Sequence, residues 1–371
     1  MIENIISERM VVDFSSKLPY PLNSKNTHFT LYGRNALYYG VLGIAQTTTR
    51  RTILVPAYSC GDEIAPIIKA GFSIRTYEVI AHNLQVSVDD INKAMTRNVA
   101  GVLLTHYFGF PQIDLFKIRK ICDNWGAFLI EDCAHTVGGF HKNVSLGTVG
   151  DISIYSLRKL LPVPHGGVLV VNNPKIKIQK FVTPPSRAVI VDLLIFIGYK
   201  LGIFKTGQRI SKVYKKLGLK EETQHGARLL QFGGYSLGMS RVSKLFLKLI
   251  APNNILNTRR ENFLFYLKYF RQFKRHGKNI RPFYTSLKER VIPLYFPVVV
   301  TDSELLYSLL AKKNIFFAPP FWSDLHEYVY WNKYPKIAGL KKRILVLPVD
   351  RQISPHNLTQ LVESVSYNEY N

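Results

Sequence analysis

Short apolar runs alternate with amphipathic stretches through residues 27–172. THFTLYGRNALYYGVLGIA opens as a short strand, turns at Gly33 and continues as an apolar helix from about Asn35. Thr52 to Val55 predicts a strand ending at Pro56, and GDEIAPIIKAG a helix stopped by Gly71. FSIRTYEV reads as a strand, VSVDDINKAMT as an amphipathic helix, and VAGVLLTHYFGFP as a buried strand whose end carries His106, Tyr107 and Phe108. A helix over Asp114 to Trp125 precedes a strand from Ala127 to Ile130. A further strand covers Asp151 to Leu157, and another follows in VLVVNNP. Strands alternating with helices imply parallel βαβ units and an α/β sheet covered on both faces. Ligands collect at the carboxyl ends of such strands. Tyr58, His106, Asp132 and Ser156 fall at those ends.

The pattern changes after residue 174. Residues 175–250 mix lysines with apolar segments, the longest running from Ala188 to Phe204 and holding Asp192 and Lys200. That run falls short of the roughly 20 apolar residues a spanning helix needs. It reads either as a buried or dimer-facing helix, or as an interfacial helix on a membrane beside Lys205, Arg209, Lys212, Lys215 and Lys216. From Asn257 a long helix leads into a second unit, where VIPLYFPVVV and RILVLPV read as strands and SELLYSLLAKK and SPHNLTQLVESV as helices. The expected division is an arm over 1–29, a large domain over 30–250 that includes the basic segment, and a small α/β domain over 251–371.

The length of 371 residues and a 47% hydrophobic content suit a two-domain globular chain. Charge changes the picture more. The net charge is +24, and the stretch from Pro174 to Arg290 holds 25 Lys and Arg against 5 Asp and Glu, which is +20 of it. A field of that size attracts phosphates on nucleotides or anionic lipid, unless the lysines merely solvate a helical region. Nucleic acid is the weaker expectation, because the lysines alternate with aliphatics rather than with stacking aromatics. Three scattered cysteines show no metal-ligand spacing and point to a reducing compartment. The first residues, MIENIISERMVVDF, do not read as a secretory signal. The expected location is the cytoplasm, with peripheral contact to anionic membrane.

Chemistry concentrates between Phe128 and Gly167. One strand end delivers Glu131 and Asp132, and the next delivers Ser156, Arg158 and Lys159. A lysine that condenses with an aldehyde, beside a carboxylate that keeps a pyridinium nitrogen protonated, is the logic of pyridoxal 5′-phosphate (PLP). The glycine turn at Gly33, opening a helix, offers backbone N–H groups to a phosphate.

With these pieces in place, the chain resembles the DegT-type sugar aminotransferases, PLP enzymes of the aspartate aminotransferase fold. The resemblance runs from about residue 30 to the C-terminus. It is carried by GRNAL after a strand, VPAYSC followed by a helix ending KAGF, EDCAH, GDISIYSLRK with HGGVLVVNN, and LPVDRQISPHNLTQLVESV. It implies that Lys159 forms the imine and moves protons, and that Asp132 pairs with the pyridine nitrogen. His135 takes a place near the ring hydroxyl where the family often has glutamine, or is a satisfied structural histidine. Ser156, Arg34 and Asn35 would hold the phosphate, with Arg158 either a second phosphate ligand or a solvated arginine. The serine stands three residues before the lysine, where family members usually have five. The family's ring-stacking aromatic is replaced by Ser59 and Cys60, leaving Tyr58 or the HYF segment to cover the ring. YSLGMS, Tyr235 to Ser240, stands where the family has an Asn-x-Arg segment that reaches a partner subunit's phosphate. His106, Tyr107, Phe321, Trp322 and His326 are candidates to line the substrate pocket.

Two functions follow. The first is amino transfer from glutamate to a keto-sugar carried on a nucleotide, by a homodimer serving glycan or polysaccharide synthesis. The second is a PLP-fold protein kept as a binding or scaffolding module on membrane or nucleotide ligands.

Overall fold

The computed structural model describes residues 18–184, 186–200, 234–272, 280–313 and 315–366. Lys205, Arg209, Lys212, Lys215 and Lys216 lie outside the described residues, as does most of the N-terminal arm. In chain order the strands of the larger unit are β1 (Thr27–Thr30), β2 (Thr52–Pro56), β3 (Ser73–Tyr77), β4 (Val99–Thr105), β5 (Phe128–Asp132), the hairpin pair β6 (Phe140–His141) and β7 (Val144–Ser145), β8 (Ile152–Ser156) and β9 (Gly167–Val171). Helices α1 (Gly33–Ala45), α2 (Gly61–Lys69), α3 (Val88–Ala94), α4 (Leu115–Trp125) and α5 (Leu157–Leu160) connect them, and α6 (Ser186–Lys200) follows.

Seven strands form one sheet in the order β1-β9-β8-β5-β4-β2-β3. All neighbours pair in parallel except β9, which runs against both β1 and β8. The apolar alternation anticipates the strands but not this reversal. Only about ten residues separate β8 from β9, too few for the dozen or more that a parallel crossover needs. β1 starts inside the expected arm, where Thr27 to Thr30 pair with Gly167 to Val170.

Residues alternate between two apolar layers, as a pleated strand requires. Ile53, Val55, Ile130, Ile152 and Leu169 face a core with α1 and α2. Leu54, Leu129, Tyr155 and Val168 face the other side, with α4 residues Ile118 and Cys122. Gly40 lets α1 lie on β8 and β9: a Cβ there would sit 2.5 Å from Ile152 Cδ1. Gly126 ends α4 in the left-handed conformation (φ 58°, ψ 36°) that an L side chain adopts at a cost.

α7 (Arg241–Leu249) sets Leu247 in the larger unit's core, and the C-terminal unit comprises α8 (Pro252–Gln272), β10 (Arg281–Pro282), β11 (Tyr295–Val299), α9 (Ser303–Lys312), α10 (Pro335–Lys341), β12 (Ile344–Pro348) and α11 (Pro355–Ser366). Its three strands form an antiparallel sheet in the order β10-β11-β12. Phe263, Tyr266, Phe270, Phe296, Leu310, Leu345 and Leu361 build its separate core. α8 begins at Pro252, five residues before the expected Asn257, because proline is tolerated where a helix needs no N–H donor. The whole is a mostly parallel large domain with a smaller α/β domain behind it.

Candidate active site

Adjacent parallel strands β5 and β8 end side by side, with Asp132 opposite Ile154. Successive side chains leave β5 on opposite faces, so Glu131 and Asp132 part company. Glu131 is fully buried and accepts from Gly147 N (3.0 Å), Val149 N (2.8 Å), Gly150 N (2.6 Å) and His106 Nε2 (3.1 Å). Burial pushes its pKa up, but the His106 contact and these backbone donors outweigh it and leave it lowered. Asp132 faces the other way. Its Oδ1 accepts from Ala134 N (2.8 Å), while Oδ2 is buried without a well-formed hydrogen bond. Burial raises its pKa against the opposing pull of the Ala134 N–H and Lys159.

A second carboxyl meets it there. Glu63, in the first turn of α2, is buried, and its Oε2 accepts from Cys60 N at 3.2 Å. Burial first, then the Asp132 charge and a shared proton with Asp132, push Glu63 well above the usual carboxylate range. Two carboxylates this close cannot both ionise, so Glu63 is the neutral partner. Lys159, half-buried in α5, lies near enough to act on Asp132, Glu63, Cys60 and His135 alike. Its backbone is held from the small domain: the buried Arg259 of α8 donates to Lys159 O (3.2 Å), Leu160 O (3.3 Å) and Leu294 O (2.9 Å).

His135 completes the polar set. Its Nδ1 accepts from Phe108 N at 3.2 Å, which leaves the proton on Nε2, a buried donor with no partner. Burial and then Lys159 hold its pKa well below the ordinary value, so the ring is neutral. Trp322 packs against it at 5.1 Å between centroids, and Phe321 stacks on Trp322 at 4.8 Å.

The other end of the cleft is the start of α1. A Cβ on Gly33 would lie 3.5 Å from Ser156 Cβ and from Tyr155 O, so the first turn of α1 abuts Ser156. The first N–H groups of a helix have no intrahelical acceptor, and the Ser156 side chain does not cap α5. Arg34 and Arg158 flank this spot, each guanidinium over the Tyr32 ring (4.8 and 5.0 Å), and Arg34 also pairs loosely with Asp62 at 3.4 Å. Asn35 is spent differently: Oδ1 accepts from Tyr32 N (3.2 Å) and Nδ2 donates to Tyr235 O (2.8 Å). The YSLGMS segment thus packs on α1 of its own chain, with Tyr235 stacked on Tyr38.

These groups fit PLP. Asp132 Oδ2 would accept a ring N–H, the unpartnered His135 Nε2–H would meet a ring oxygen, and Ser156 with the α1 terminus would suit a phosphate. The polar atoms of most other expected residues have partners of their own. His106 accepts from Gln112 N (3.2 Å) and gives its other nitrogen to Glu131, and the Tyr107 hydroxyl donates to Tyr58 O (2.6 Å). Tyr58 is fully buried against Tyr107 and Trp322, its hydroxyl unpaired. His326 donates to Ser59 O at 3.1 Å from outside the cofactor groups. His106, Glu131 and Cys133 also sit together, but the first two are already committed and burial keeps the Cys133 thiol protonated.

Sequence reasoning missed Glu63, Arg259 and Lys341. Lys341 is fully buried at the end of α10, its Nζ donating to Ser59 O at 2.6 Å among the rings of Trp331 (4.9 Å), Tyr58 (5.4 Å) and Trp322 (5.9 Å). In sequence it stands in LKKR, which looks like a surface run; only the apolar Ile337 and Leu340 at helical spacing hint otherwise.

The sequence profile of the DegT/DnrJ/EryC1/StrS aminotransferase family matches residues 33–366. GDP-perosamine synthase from Vibrio cholerae is 30% identical over 156 residues, 42% of this chain and 41% of that protein. The same-named enzyme from Escherichia coli O157:H7 is 34% identical over 91 residues, 24% of this chain and 25% of that one. These matches span less than half the length of either relative. Among solved structures, the aminotransferase TlmJ from Streptoalloteichus hindustanus superposes with a TM-score of 0.64 at 16% identity, covering 93% of this chain and 86% of that one. An E. coli GDP-4-keto-6-deoxy-D-mannose-3-dehydratase solved with bound hydrated PLP gives 0.62 at 16% identity, covering 93% and 88%.

Proposed function

This chain belongs to the DegT/DnrJ/EryC1/StrS aminotransferase family, and on that premise we propose that it transfers an amino group from glutamate to a nucleotide-linked keto-sugar. The curated relatives are named for making a GDP-linked amino sugar, which supports that substrate class. Sister enzymes that remove oxygen from the sugar carry histidine at the lysine position; Lys159 argues for amino transfer here. The homodimer and the cytoplasm are part of the same reading. Among the described residues no helix is long and apolar enough to cross a membrane.

The observation that carries the proposal is that Lys159, just after β8, lies within electrostatic reach of the buried Asp132 carboxyl at the end of the neighbouring β5. PLP, when bound, supplies an aldehyde that captures amines and a cationic ring that takes up carbanion electrons. Asp132 would hold the ring nitrogen protonated, His135 Nε2 would donate to the ring oxygen, and Ser156 Oγ with the first N–H groups of α1 would hold the phosphate. Lys159 Nζ would be the group that takes the proton from the substrate's α-carbon and returns one on the other side of the reaction.

The test is direct. A yellow preparation should bleach on adding glutamate and recover its colour with a keto-sugar nucleotide, and Lys159→Ala should abolish both. A colourless protein that binds nucleotides or vesicles without turnover would instead match the scaffolding role.

A further inference from the structure

We propose that α6 and α7 form a docking surface for an anionic phospholipid bilayer. Ile190, Leu194 and Ile197 of α6 are 56%, 55% and 41% exposed, and Leu245 of α7 is 57% exposed. Their spacing of four and three residues puts the α6 side chains on one face of the helix. Phe196 meets Phe246 edge-on at 5.7 Å, so the two helices lie against one another. α7 adds exposed Arg241, Lys244 and Lys248 and contains no acidic residue.

Half-exposed aliphatics framed by cations are what an interfacial helix presents to lipid: apolar side chains enter the acyl boundary while lysines meet the headgroups. The 15 described residues of α6 reach about 22 Å at 1.5 Å per residue, short of a hydrocarbon core of about 30 Å. A second copy of the chain is the poorer occupant. Two-fold pairing would set Arg241, Lys244 and Lys248 against the same three residues of the other copy. An anionic surface neutralises those cations. The inference does not depend on the amino-transfer chemistry.

Flotation of the full-length holoprotein with vesicles of phosphatidylcholine, alone or mixed with phosphatidylglycerol, tests it. Retention on the anionic vesicles alone, reversed by salt, is expected. Leu194→Asp with Leu245→Asp should weaken retention at least about tenfold, and Lys244→Gln with Lys248→Gln by about fivefold for each charge removed. The lysine pair is wholly surface and keeps the test open should the leucine pair fail to fold; cofactor absorbance should be unchanged in both. Absent or salt-insensitive binding, equal binding to neutral vesicles, or retention untouched by either pair would overturn the proposal. So would a fall from dimer to monomer in the leucine variant with vesicle binding intact, which would give this face to a second copy.

Discussion

Replacing the buried Lys341 by methionine should remove a pH dependence of stability whose size follows from the structure. The ammonium has one hydrogen-bond acceptor, Ser59 O, and three aromatic rings around it. Burial lowers its pKa from 10.5 to about 8, against the raising influence of Cys60, Glu63 and Asp324. Cation–π attraction, worth up to about 2 kcal/mol when desolvated, therefore does not offset the lost hydration. Between pH 8 and 10.5 the unfolded chain holds this proton and the folded chain does not. The unfolded state binds more protons in that window, so wild-type stability rises with pH across it. A shift of roughly 2.5 units at 1.36 kcal/mol each amounts to about 3 kcal/mol. At neutral pH both states are protonated and the folded form bears the full penalty. Lys341→Met lacks this term, so its stability relative to wild type should be most favourable near pH 7 and decline by about 3 kcal/mol towards pH 10.5. Urea unfolding of the cofactor-free protein, followed by the fluorescence of Trp322 and Trp331, measures the difference, and other titrating groups cancel in it. Parallel curves for the two proteins across that window would refute the reasoning.

Glu63→Gln should show the opposite linkage: a raised carboxyl pKa destabilises the wild type as pH climbs above 4.5. The variant should match wild type below that value and exceed it increasingly towards neutrality in the same unfolding assay. Arg259→Lys should loosen the Lys159 turn, since an ammonium cannot reproduce the fork to three carbonyls. The expected outcome is weaker PLP affinity by about tenfold or more, measured by absorbance titration; an unchanged titration would refute the pinning role. His135→Leu removes the unpartnered Nε2 donor and should weaken PLP binding by a similar factor, and because Phe108 N loses its acceptor it should also lower the unfolding midpoint of the cofactor-free protein. Gly109→Ala should cost more than about 1 kcal/mol, because φ is +88° and a Cβ would collide with Ile292 O; a urea midpoint equal to wild type would contradict it.

How much of this was legible depended on whether a residue's role follows from its own neighbours in sequence. FLIED and ISIYS are strand-like apolar stretches closed by polar residues, so the proximity of Asp132 to the Ser156–Lys159 turn could be read directly. His106 ends a run of the same kind, and the pattern could not tell it from Asp132. What separates them is partnership: Glu131 turns to the far face of β5 and takes the His106 ring with it. Glu63 was hidden by an ordinary local role. An acid in the first turn of a helix reads as a cap, and its bond to Cys60 N is such a bond. Its approach to Asp132 is a product of two separate βα units meeting across the sheet, which no local spacing records. The start of α8 was misread for a related reason, since Pro252-Asn253-Asn254 has loop composition but sits where a helix begins.

The small domain's part in the site follows from the chain's departures from its family. Cys60 stands where the resemblance places the family's stacking aromatic, and it brings no ring to the β2–α2 loop. Three side chains from the small domain converge there instead: Lys341 and His326 both donate to Ser59 O, and Trp322 packs on Tyr58 and His135. On the opposite wall Arg259, also from the small domain, holds the carbonyls of Lys159 and Leu160. Both flanks of the cleft are therefore tied through backbone carbonyls, groups that persist whatever side chain the loop carries. A shift of the small domain moves the Ser59 loop and the Lys159 turn together, so cofactor affinity and domain position are linked in one free energy. Substitutions at Lys341 and Arg259 should then be less than additive in PLP affinity, since each releases the same body; independent effects would place the two ties in separate units.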